Sequence, residues 1–279
     1  MIADWKTNTV CFSAILAKRH RALFQQLTTI LHQRAVPVRL LEGTADIWAR
    51  DYCPIQVDTG KFVKFRFYPD YLRGQYEDLI TGDQVCTQLS DLGTCRKSEI
   101  ILDGGNVVAA ESKVVLTDKV FRENPHRKAT KLKEQLAELF EVERCIFVPQ
   151  DDDPFGHSDG LMRFLTEDLV VINDYSKVDP AYGRKLETVL REFGLHVERM
   201  PFFDERRCTD GIDSAVGNYV NFLRVADLIL LPVYGVRDDE KACHRLESLC
   251  PQVTIIPVQS TKLARNGGIL NCVSWTVRV

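Results

Sequence analysis

The sequence predicts an α/β protein built from a repeated strand–strand–helix–strand (ββαβ) unit arranged around a pseudo-symmetric axis. Three observations support this prediction. Short apolar runs typical of strands alternate with segments whose apolar residues recur at helical spacing. The same order of elements returns several times along the 279 residues. Finally, the two ends of the chain each contain a fragment of the unit. Each helix is therefore expected to cover its own small sheet.

The elements of the first unit are a strand at 9–16, an amphipathic helix and a second strand at 36–41. The apolar face of that helix is formed by Leu23, Leu27, Ile30 and Leu31. Three further units follow the same order. Their strands are predicted at 106–110, 114–117 and 145–148, at 161–165, 169–172 and 196–200, and at 219–225, 228–231 and 253–258. Their helices are marked by Leu132, Leu136, Leu139 and Phe140, by Leu186, Val189, Leu190 and Phe193, and by Ala242, Leu246 and Leu249.

A fifth unit is present only as fragments, at 268–279 and in the opening strand. We therefore expect the two ends of the chain to complete one unit together and so to close a ring of five units within a single domain, 1–279. The segment 56–100 does not match the repeat and is rich in aromatic and charged residues. It is interpreted as an insert that carries a lid or substrate loop.

Composition limits the partners of this protein. The 36 Lys and Arg residues are interspersed with 39 Asp and Glu, and the formal charge is −3. No basic stripe suits nucleic acid, and no polybasic tract suits an anionic membrane. No apolar run approaches the ~18 to 20 residues of a membrane-spanning helix, and no cleavage site follows the apolar run at 10–17. The expected partner is a small molecule and the expected location is the cytoplasm.

The nine cysteines are scattered singly, without a Cys-x-x-Cys pair or the spacing of a zinc site. An odd number of cysteines without a leader favours reduced thiols. Most of them are expected to be small buried apolar groups. Cys272 differs because it follows a glycine turn.

Four segments place a reactive side chain beside glycine or proline next to an apolar strand. These segments are Trp48 to Pro54, Leu102 to Asn106, Gly156 to Gly160 and Asn266 to Cys272. Each has an ordinary structural explanation by itself: a turn, a structural histidine, a local ion pair or a buried thiol. Together they supply a cysteine, a histidine and several carboxylates at equivalent places in successive units. That composition is typical of an activated-thiol site.

At this point the sequence resembles the agmatine deiminase and bacterial (Porphyromonas-type) peptidylarginine deiminase family of guanidino-modifying enzymes. Five motifs occur in that family's order: Trp-x-Arg-Asp-x-x-Pro, the acidic-Gly-Gly turn, Gly-His-x-Asp, Tyr-Val-Asn-Phe and Gly-Gly-x-x-x-Cys. The resemblance implies the pentein fold, a pseudo-fivefold α/β propeller of five ββαβ units. It also implies a cysteine-dependent hydrolase that converts a guanidino compound, by default agmatine to N-carbamoylputrescine, into a ureido product and ammonia.

The resemblance implies roles for individual residues. Cys272 would be the nucleophile, His157 the general acid and base, and Asp103 the carboxylate that orients the histidine. Asp51 and Asp159 would hold the guanidinium group, whose planar fork of N–H donors pairs best with two carboxylates. Other residues of the motifs are assigned to substrate binding: Trp48, Arg50, Asn221 and Gly268. Neither a cofactor nor a metal is expected.

Departures from the family pattern leave alternatives open. Asn271 stands where the family commonly has histidine, Asp103 where it usually has glutamate, and Gly160 where it has a larger polar residue. Free or peptidyl arginine remains an alternative substrate, since Arg66 and Arg73 could pair with a carboxylate. The acidic residues Asp70, Glu77 and Asp78 could instead meet the amine of agmatine. An amidinotransferase with the same site, a non-catalytic guanidinium-binding protein and, less favoured, a metal site are the other hypotheses. A homodimer is left open.

Overall fold

The computed structural model describes residues 1–88, 91–205, 208–209 and 212–279. It contains five three-stranded sheets, which we call blades 1 to 5. In each blade the first strand runs antiparallel to the second, and the second runs parallel to the third. A parallel pair needs a crossover connection, which explains why a helical segment separates the second and third strands of a blade.

The strands of each blade are given in the order in which they lie side by side. Blade 1 contains Ser274–Val277, Thr9–Ser13 and Val38–Leu41; blade 2 contains Ile55–Asp58, Lys61–Arg66 and Thr94–Ile101; blade 3 contains Val108–Ala109, Lys113–Thr117 and Arg144–Val148; blade 4 contains Met162–Phe164, Leu169–Asn173 and His196–Met200; blade 5 contains Leu223–Val225, Leu228–Val233 and Thr254–Gln259. Cys208–Thr209 and Ile212–Asp213 form a separate two-stranded hairpin.

The long helices confirm the predicted helical periodicity. They span Arg21–Gln33, Ala129–Phe140, Pro180–Glu192 and Asp238–Leu249, and each connects the second and third strands of its blade. Shorter α-helices span Ala14–Arg19, Ala49–Tyr52, Gln84–Thr87, Lys119–Glu123 and Thr261–Ala264. Most of the residues that predicted the long helices are buried, but Phe193 is 39% exposed. It follows the last helical residue, Glu192.

Several predicted strands are shorter in the structure, and the largest differences are in the predictions for 9–16, 106–110 and 219–225. The first strand ends at Ser13, whose hydroxyl accepts a hydrogen bond from the amide of Ile15 at 3.0 Å and so begins the helix Ala14–Arg19. This is the usual role of serine at a helix N-terminus. In the prediction for 219–225, only Leu223–Val225 is a strand. The residues before it form part of the site described below.

The interpretation of 56–100 as an insert outside the repeat is wrong. Residues Ile55–Asp58 and Lys61–Arg66 form an antiparallel pair, and Thr94–Ile101 completes blade 2 in parallel. Among the described residues of this crossover there is no long amphipathic helix, and their α-helical part is the one turn Gln84–Thr87. The helical period that revealed the other units is therefore missing here. Residues 89 and 90 of this segment lie outside the described residues.

The two ends of the chain complete blade 1 together, as the sequence predicted. Thr9 pairs with Val277 and Phe12 with Ser274 in an antiparallel register. The first strands of several blades line a cavity between them, through residues such as Gln56, Arg163 and Thr276. The segments that immediately precede these first strands contain the predicted motifs.

Candidate active site

All five of the segments that precede the first strands take part in hydrogen bonds with one another. The amide of Arg50 donates to the carbonyl of Cys272 at 3.1 Å. The amide of Gly105 donates to Asp51 Oδ1 at 3.0 Å. Asn221 Nδ2 donates to the carbonyl of Asp159 at 3.2 Å. The structure thus brings the predicted reactive residues of different blades into one cluster.

Gly105 allows the closest approach within this cluster. A Cβ atom at this position would lie 2.5 Å from Asp51 Oδ1 and 2.6 Å from His157 Nδ1. Both distances are shorter than a van der Waals contact. The Asp-Gly-Gly-Asn sequence is therefore more than a turn signal, because glycine is required for Asp51 and His157 to approach each other.

His157 lies between two carboxylates. Its Nε2 atom is 2.9 Å from Asp103 Oδ2, and its Nδ1 atom is 3.6 Å from Asp51 Oδ1. Burial alone would lower the pKa of His157, but the charges of Asp51 and Asp103 outweigh it and raise the pKa to about 9. The imidazolium form is thus favoured at neutral pH. That form can donate a proton to a leaving group.

Asp103 is shared between His157 and a second cation that no sequence motif indicated. Lys119 Nζ lies 3.0 Å from Asp103 Oδ2, and the side chain of Lys119 is fully buried. Burial alone would raise the pKa of Asp103, but the charge of Lys119 and the hydrogen bond from His157 lower it. Lys119 was missed because Lys-Val-Phe-Arg-Glu is typical of an ordinary helical turn, with no glycine, proline or motif beside it.

Asp51 and Asp159 supply two further carboxylates. The side chain of Asp51 is 10% exposed, and Asp159 is 2% exposed. Burial, together with the nearby carboxylates of Asp103 and Asp159, raises the pKa of Asp51 to about 7. A bound cation would relieve this repulsion. The pair is therefore suited to a positively charged ligand with several N–H donors.

Cys272 is partly buried beside Asn221 and Asp159. Its Sγ atom lies 3.3 Å from Asn221 Oδ1 and 3.9 Å from Asp159 Oδ2. Burial, followed by the carboxylates of Asp159 and Asp51, raises the pKa of Cys272 well above its ordinary value. Asn221 also accepts hydrogen bonds from the amides of Asn271 and Cys272, at 3.2 and 3.4 Å. It therefore fixes the backbone that presents the thiol.

Asn271 contacts the site, although in the sequence it stands out only as a departure from the family pattern. Its Nδ2 atom donates to Asp159 Oδ2 at 2.5 Å, and the residue is 3% exposed. The neutral amide orients Asp159 without neutralising its charge. Its position directly before Cys272 was the available signal, but the sequence could not show which carboxylate the amide would reach.

Trp48 and Gly268, from two of the segments that form the site, lie against each other. A Cβ atom on Gly268 would lie 2.6 Å from the indole of Trp48, so glycine permits the indole to lie against the backbone. The Trp48 side chain is partly buried, and its amide is held by Asp46 Oδ1 at 2.8 Å. The placement is compatible with the predicted contact between these residues and a substrate.

Arg50 occupies a different position from the other residues of its motif. Its guanidinium lines the cavity between the first strands, where Nη2 lies 3.5 Å from Thr276 Oγ1. Asp4 and Arg163 line the same cavity. A cation here would repel a guanidinium ligand, so the structure favours a supporting position for Arg50 over a direct contact with substrate.

Two aromatic residues lie beside His157 and were not predicted as site residues. The Tyr71 ring is 6.0 Å from the imidazole and 5.0 Å from the ring of Phe155. Tyr71 belongs to the crossover of blade 2. The structure therefore places part of the predicted substrate loop next to the catalytic histidine candidate. Asp70 of this loop faces Lys119 at 3.5 Å and Arg122 at 3.2 Å.

Within the part of the chain that the structure describes, no group of three or more His, Cys, Asp or Glu side chains is arranged to hold a metal ion. In the same described ranges, no helix combines the length and the apolar character needed to cross a membrane.

Known structures share this architecture. A C. jejuni agmatine deiminase with substrate bound superposes with a TM-score of 0.81 at 20% identity, over 99% of this chain and 95% of that one. An amidinotransferase from Microseira wollei gives a TM-score of 0.69 at 11% identity, over 100% and 96% of the two chains. The fold is therefore the pentein fold, which enzymes that act on guanidino groups share.

Sequence comparison narrows this class. An agmatine deiminase of Ectopseudomonas mendocina is 26% identical over 98% of this chain and 83% of the relative. The profile of the Porphyromonas-type peptidyl-arginine deiminase family matches residues 2–277. The chain belongs to that family, and it is an enzyme that hydrolyses guanidino groups.

Proposed function

We propose that this enzyme hydrolyses agmatine to N-carbamoylputrescine and ammonia through a covalent intermediate on Cys272. The observation that carries this proposal is the cluster of two carboxylates, Asp51 and Asp159, beside the His157–Asp103 pair and a cysteine thiol. The carboxylates suit a planar cation, the thiol is a nucleophile, and the imidazolium is a proton donor.

The reaction follows from these positions. Asp51 and Asp159 hold the guanidinium, and the thiolate of Cys272 adds to its central carbon. His157 protonates one nitrogen of the tetrahedral adduct, the C–N bond breaks, and ammonia leaves. The remaining S-alkylthiouronium is attacked by water, which gives a proton to His157. Cleavage of the C–S bond, with loss of the hydroxyl proton to solvent, then releases the ureido product and regenerates the thiolate.

The substrate itself favours ionisation of the nucleophile. Burial and the carboxylates of Asp159 and Asp51 keep Cys272 protonated in the free enzyme, since they raise its pKa. A guanidinium placed between these carboxylates adds a positive charge close to Sγ. A positive charge within ~4–6 Å of a thiol favours the thiolate and so lowers the pKa of the thiol. Binding of the cation thus prepares the thiolate, and no cofactor or metal is assigned to the step.

Agmatine is favoured over free arginine because the described residues nearest His157 provide aromatic surface and negative charge. Tyr71 and Phe155 lie against His157, and Asp153 interacts with it electrostatically. Apolar surface suits a tetramethylene chain, and a carboxylate suits its terminal amine. The agmatine deiminases named above support the same choice. Free arginine, peptidyl arginine and transfer of the amidino group to an added amine are the alternatives.

Product analysis tests the reaction. Purified enzyme is incubated with agmatine, arginine, a peptidyl arginine and methylated arginines, with and without added amines. Ureido product and ammonia are then measured. We expect equimolar ammonia and N-carbamoylputrescine from agmatine. A new guanidino compound formed from an added amine, without ammonia, would instead establish an amidinotransferase.

A cysteine variant tests the nucleophile. Cys272→Ala should lose detectable turnover but still bind agmatine, because Asp51 and Asp159 remain. Cys145→Ala is the matched control, since Cys145 lies in the third strand of blade 3 and is also partly buried. It should retain turnover. Guanidine hydrolysis by Cys272→Ala above background would refute the proposed intermediate.

We further propose that residues 1–279 act as one catalytic domain in the cytoplasm. The scattered cysteines, which show no disulfide pattern in the sequence, support a reducing compartment. A homodimer remains a prediction, which sedimentation of the purified protein would test.

A further inference from the structure

Lys119 is a buried cation that the proposed reaction does not use directly. It begins the short helix Lys119–Glu123, two residues after the central strand of blade 3, and its side chain is 0% exposed. The ammonium lies 3.0 Å from Asp103 Oδ2, 3.5 Å from Glu123 Oε1 and 3.5 Å from Asp70 Oδ1. It also lies 4.7 Å from the centroid of the Tyr71 ring. A lysine buried at this depth needs such partners.

The contact between Lys119 and Asp103 involves the same carboxylate oxygen that His157 binds. Lys119 Nζ and His157 Nε2 both bind Oδ2 of Asp103, at 3.0 and 2.9 Å. The other oxygen, Oδ1, is buried and has no hydrogen-bond partner among the described residues. Two donors on a single oxygen therefore determine the rotation of this carboxylate. Removal of the ammonium would leave its orientation to His157 alone.

The ammonium of Lys119 also contacts the crossover of blade 2. Asp70 faces the ammonium, and the next residue, Tyr71, packs against both Lys119 and His157. The amide of Asp70 also donates to Glu123 Oε1 at 3.2 Å. The ammonium of Lys119 therefore contacts both elements: the crossover of blade 2, through Asp70 and Tyr71, and the His157–Asp103 pair, through Asp103.

We propose that Lys119 is a positioning residue for the reaction proposed above, acting through Asp103. It holds Asp103 ionised and correctly rotated against His157, and its positive charge makes the imidazolium a stronger acid. This assignment rests on the proposed function. A general acid is most effective when its pKa lies near the working pH. A cation near His157 favours that condition, whereas the carboxylates alone would make the imidazolium too weak an acid.

The pKa of His157 depends on the charged groups around His157 and around Lys119. His157 is faced by Asp51, Asp103, Asp153 and Lys119, and Lys119 is faced by Asp103, Glu123, Asp70 and the ring of Tyr71. Loss of Lys119 removes a positive charge that lowers the pKa of His157. The imidazolium should therefore hold its proton to higher pH.

Lys119→Met, Lys119→Gln and Lys119→Arg test this proposal, with Lys113→Met as the matched control. Lys113 is also a largely buried lysine with an ion pair, to Asp168 at 2.6 Å. It is the first residue of the central strand of blade 3, Lys113–Thr117, whereas Lys119 follows the last residue of that strand. The readouts are the pH profile of agmatine turnover and the titration of the His157 imidazole by NMR.

We expect Lys119→Met to lower kcat by about 10- to 100-fold, a part of the ~10²- to 10⁴-fold that general acid–base catalysis supplies. The alkaline limb of the profile and the NMR titration of His157 should both move to higher pH. Lys119→Arg should restore both midpoints, and Lys113→Met should keep the wild-type limb. If Lys119→Met does not fold, Lys119→Gln, which keeps a hydrogen-bond donor and loses the charge, decides by the same readouts.

An unchanged alkaline limb and an unchanged His157 titration in a folded neutral variant would overturn the proposal. The same holds if Lys119→Arg fails to restore either midpoint. The NMR titration does not require turnover. If wild-type enzyme shows the expected titration but no guanidine hydrolysis, the proposed function fails and the placement of Lys119 stands.

Discussion

At the scale of single residues, the charge of the site depends on which groups hold protons. Asp51 and His157 are 3.6 Å apart, and the pKa of Asp51 is raised to about 7 while that of His157 is raised to about 9. Guanidinium binding needs ionised Asp51, and departure of ammonia needs protonated His157. Between these two values the majority of molecules have both groups in the required state.

The profile of kcat/KM against pH should therefore show two breaks. The value should rise steeply until Asp51 has lost its proton near pH 7, rise less steeply above it because Cys272 must still lose its thiol proton, and level off as His157 loses its proton near pH 9. Because the two groups interact, these breaks report apparent values of the pair. Steady-state assays from about pH 5 to 10 at constant ionic strength measure the profile. A curve that is flat across this range would contradict the assigned protonation states.

Asn271 offers a second prediction at this scale. Its amide donates to Asp159 Oδ2 at 2.5 Å, so Asn271→Leu should leave the carboxylate buried without this donor. We expect KM for agmatine to rise, by about tenfold for the loss of roughly 1.5 kcal/mol of charged hydrogen bonding. Alkylation of Cys272 in the absence of substrate should be affected much less. A variant with unchanged KM would show that Asp159 needs no support from Asn271.

The sequence allowed some of these residues to be named, but not others. Cys272, His157, Asp103, Asp51 and Asp159 stand beside glycine or proline at the ends of apolar strands, and the structure brings them together. Lys119 has no such mark, and its importance arises from Asp103, which is distant in sequence. The sequence could not show where the side chain of Arg50 points. A motif residue can direct its side chain into the site or, as Arg50 does, into the cavity between the first strands.

At the scale of elements, the segments before the first strands of the blades are tightly packed turns. Gly105 is a position at which a side chain has very little room. Gly105→Ala should displace Asp51 or His157, because its Cβ would lie 2.5 Å from one and 2.6 Å from the other. We expect a loss of turnover of at least about 100-fold, the lower range of a lost general acid–base contribution.

Gly160→Ala is the control for this prediction. Gly160 lies in an equivalent turn, yet the nearest atom to a Cβ added there would be Asn218 Nδ2 at 3.9 Å. It should fold and melt like the wild-type enzyme. Turnover and thermal unfolding of both variants are measured together. Equal activities in the two variants would show that Gly105 is not needed for close approach.

The blades also show why element prediction failed in one place. Four crossovers contain long helices with clear apolar faces, and these blades were recognised. Where the structure describes it, the crossover of blade 2 contains 3₁₀ turns, including Asp70–Leu72 and Glu77–Leu79, and one turn of α-helix, Gln84–Thr87. Its strands pair with the same topology as in the other blades, but strand pairing between distant segments leaves no local period in the sequence.

At the scale of the whole molecule, the two ends of the chain pair in blade 1, and charged residues meet in the cavity between the first strands. Asp4 forms a hydrogen-bonded ion pair with Arg163 of blade 4, and Arg163 also donates to the carbonyl of Phe222 at 2.7 Å. Phe222 follows Asn221 of the site directly. Burial alone would raise the pKa of Asp4, but the charges of Arg163 and Arg50 outweigh it and lower the pKa.

Asp4→Asn should therefore destabilise the enzyme. It removes the carboxylate that faces Arg163, Arg50 and Arg224, which leaves the guanidinium groups close together without their counter-charge. Breaking one partner of a buried ion pair costs about 3 to 5 kcal/mol. Because the Asp4 side chain is 22% exposed, we expect the lower end of this range in urea unfolding at neutral pH.

Asp58→Asn is the matched control, since Asp58 forms an exposed ion pair with Lys61 at 3.3 Å and should give no measurable change. A double-mutant cycle with Arg163→Met separates the pair from the rest of the cluster. We expect Asp4→Asn to cost much less in the Arg163→Met background than in the wild type, because the repulsion it exposes is reduced. Equal costs in both backgrounds would show that Asp4 stabilises the ring through other contacts than its charge.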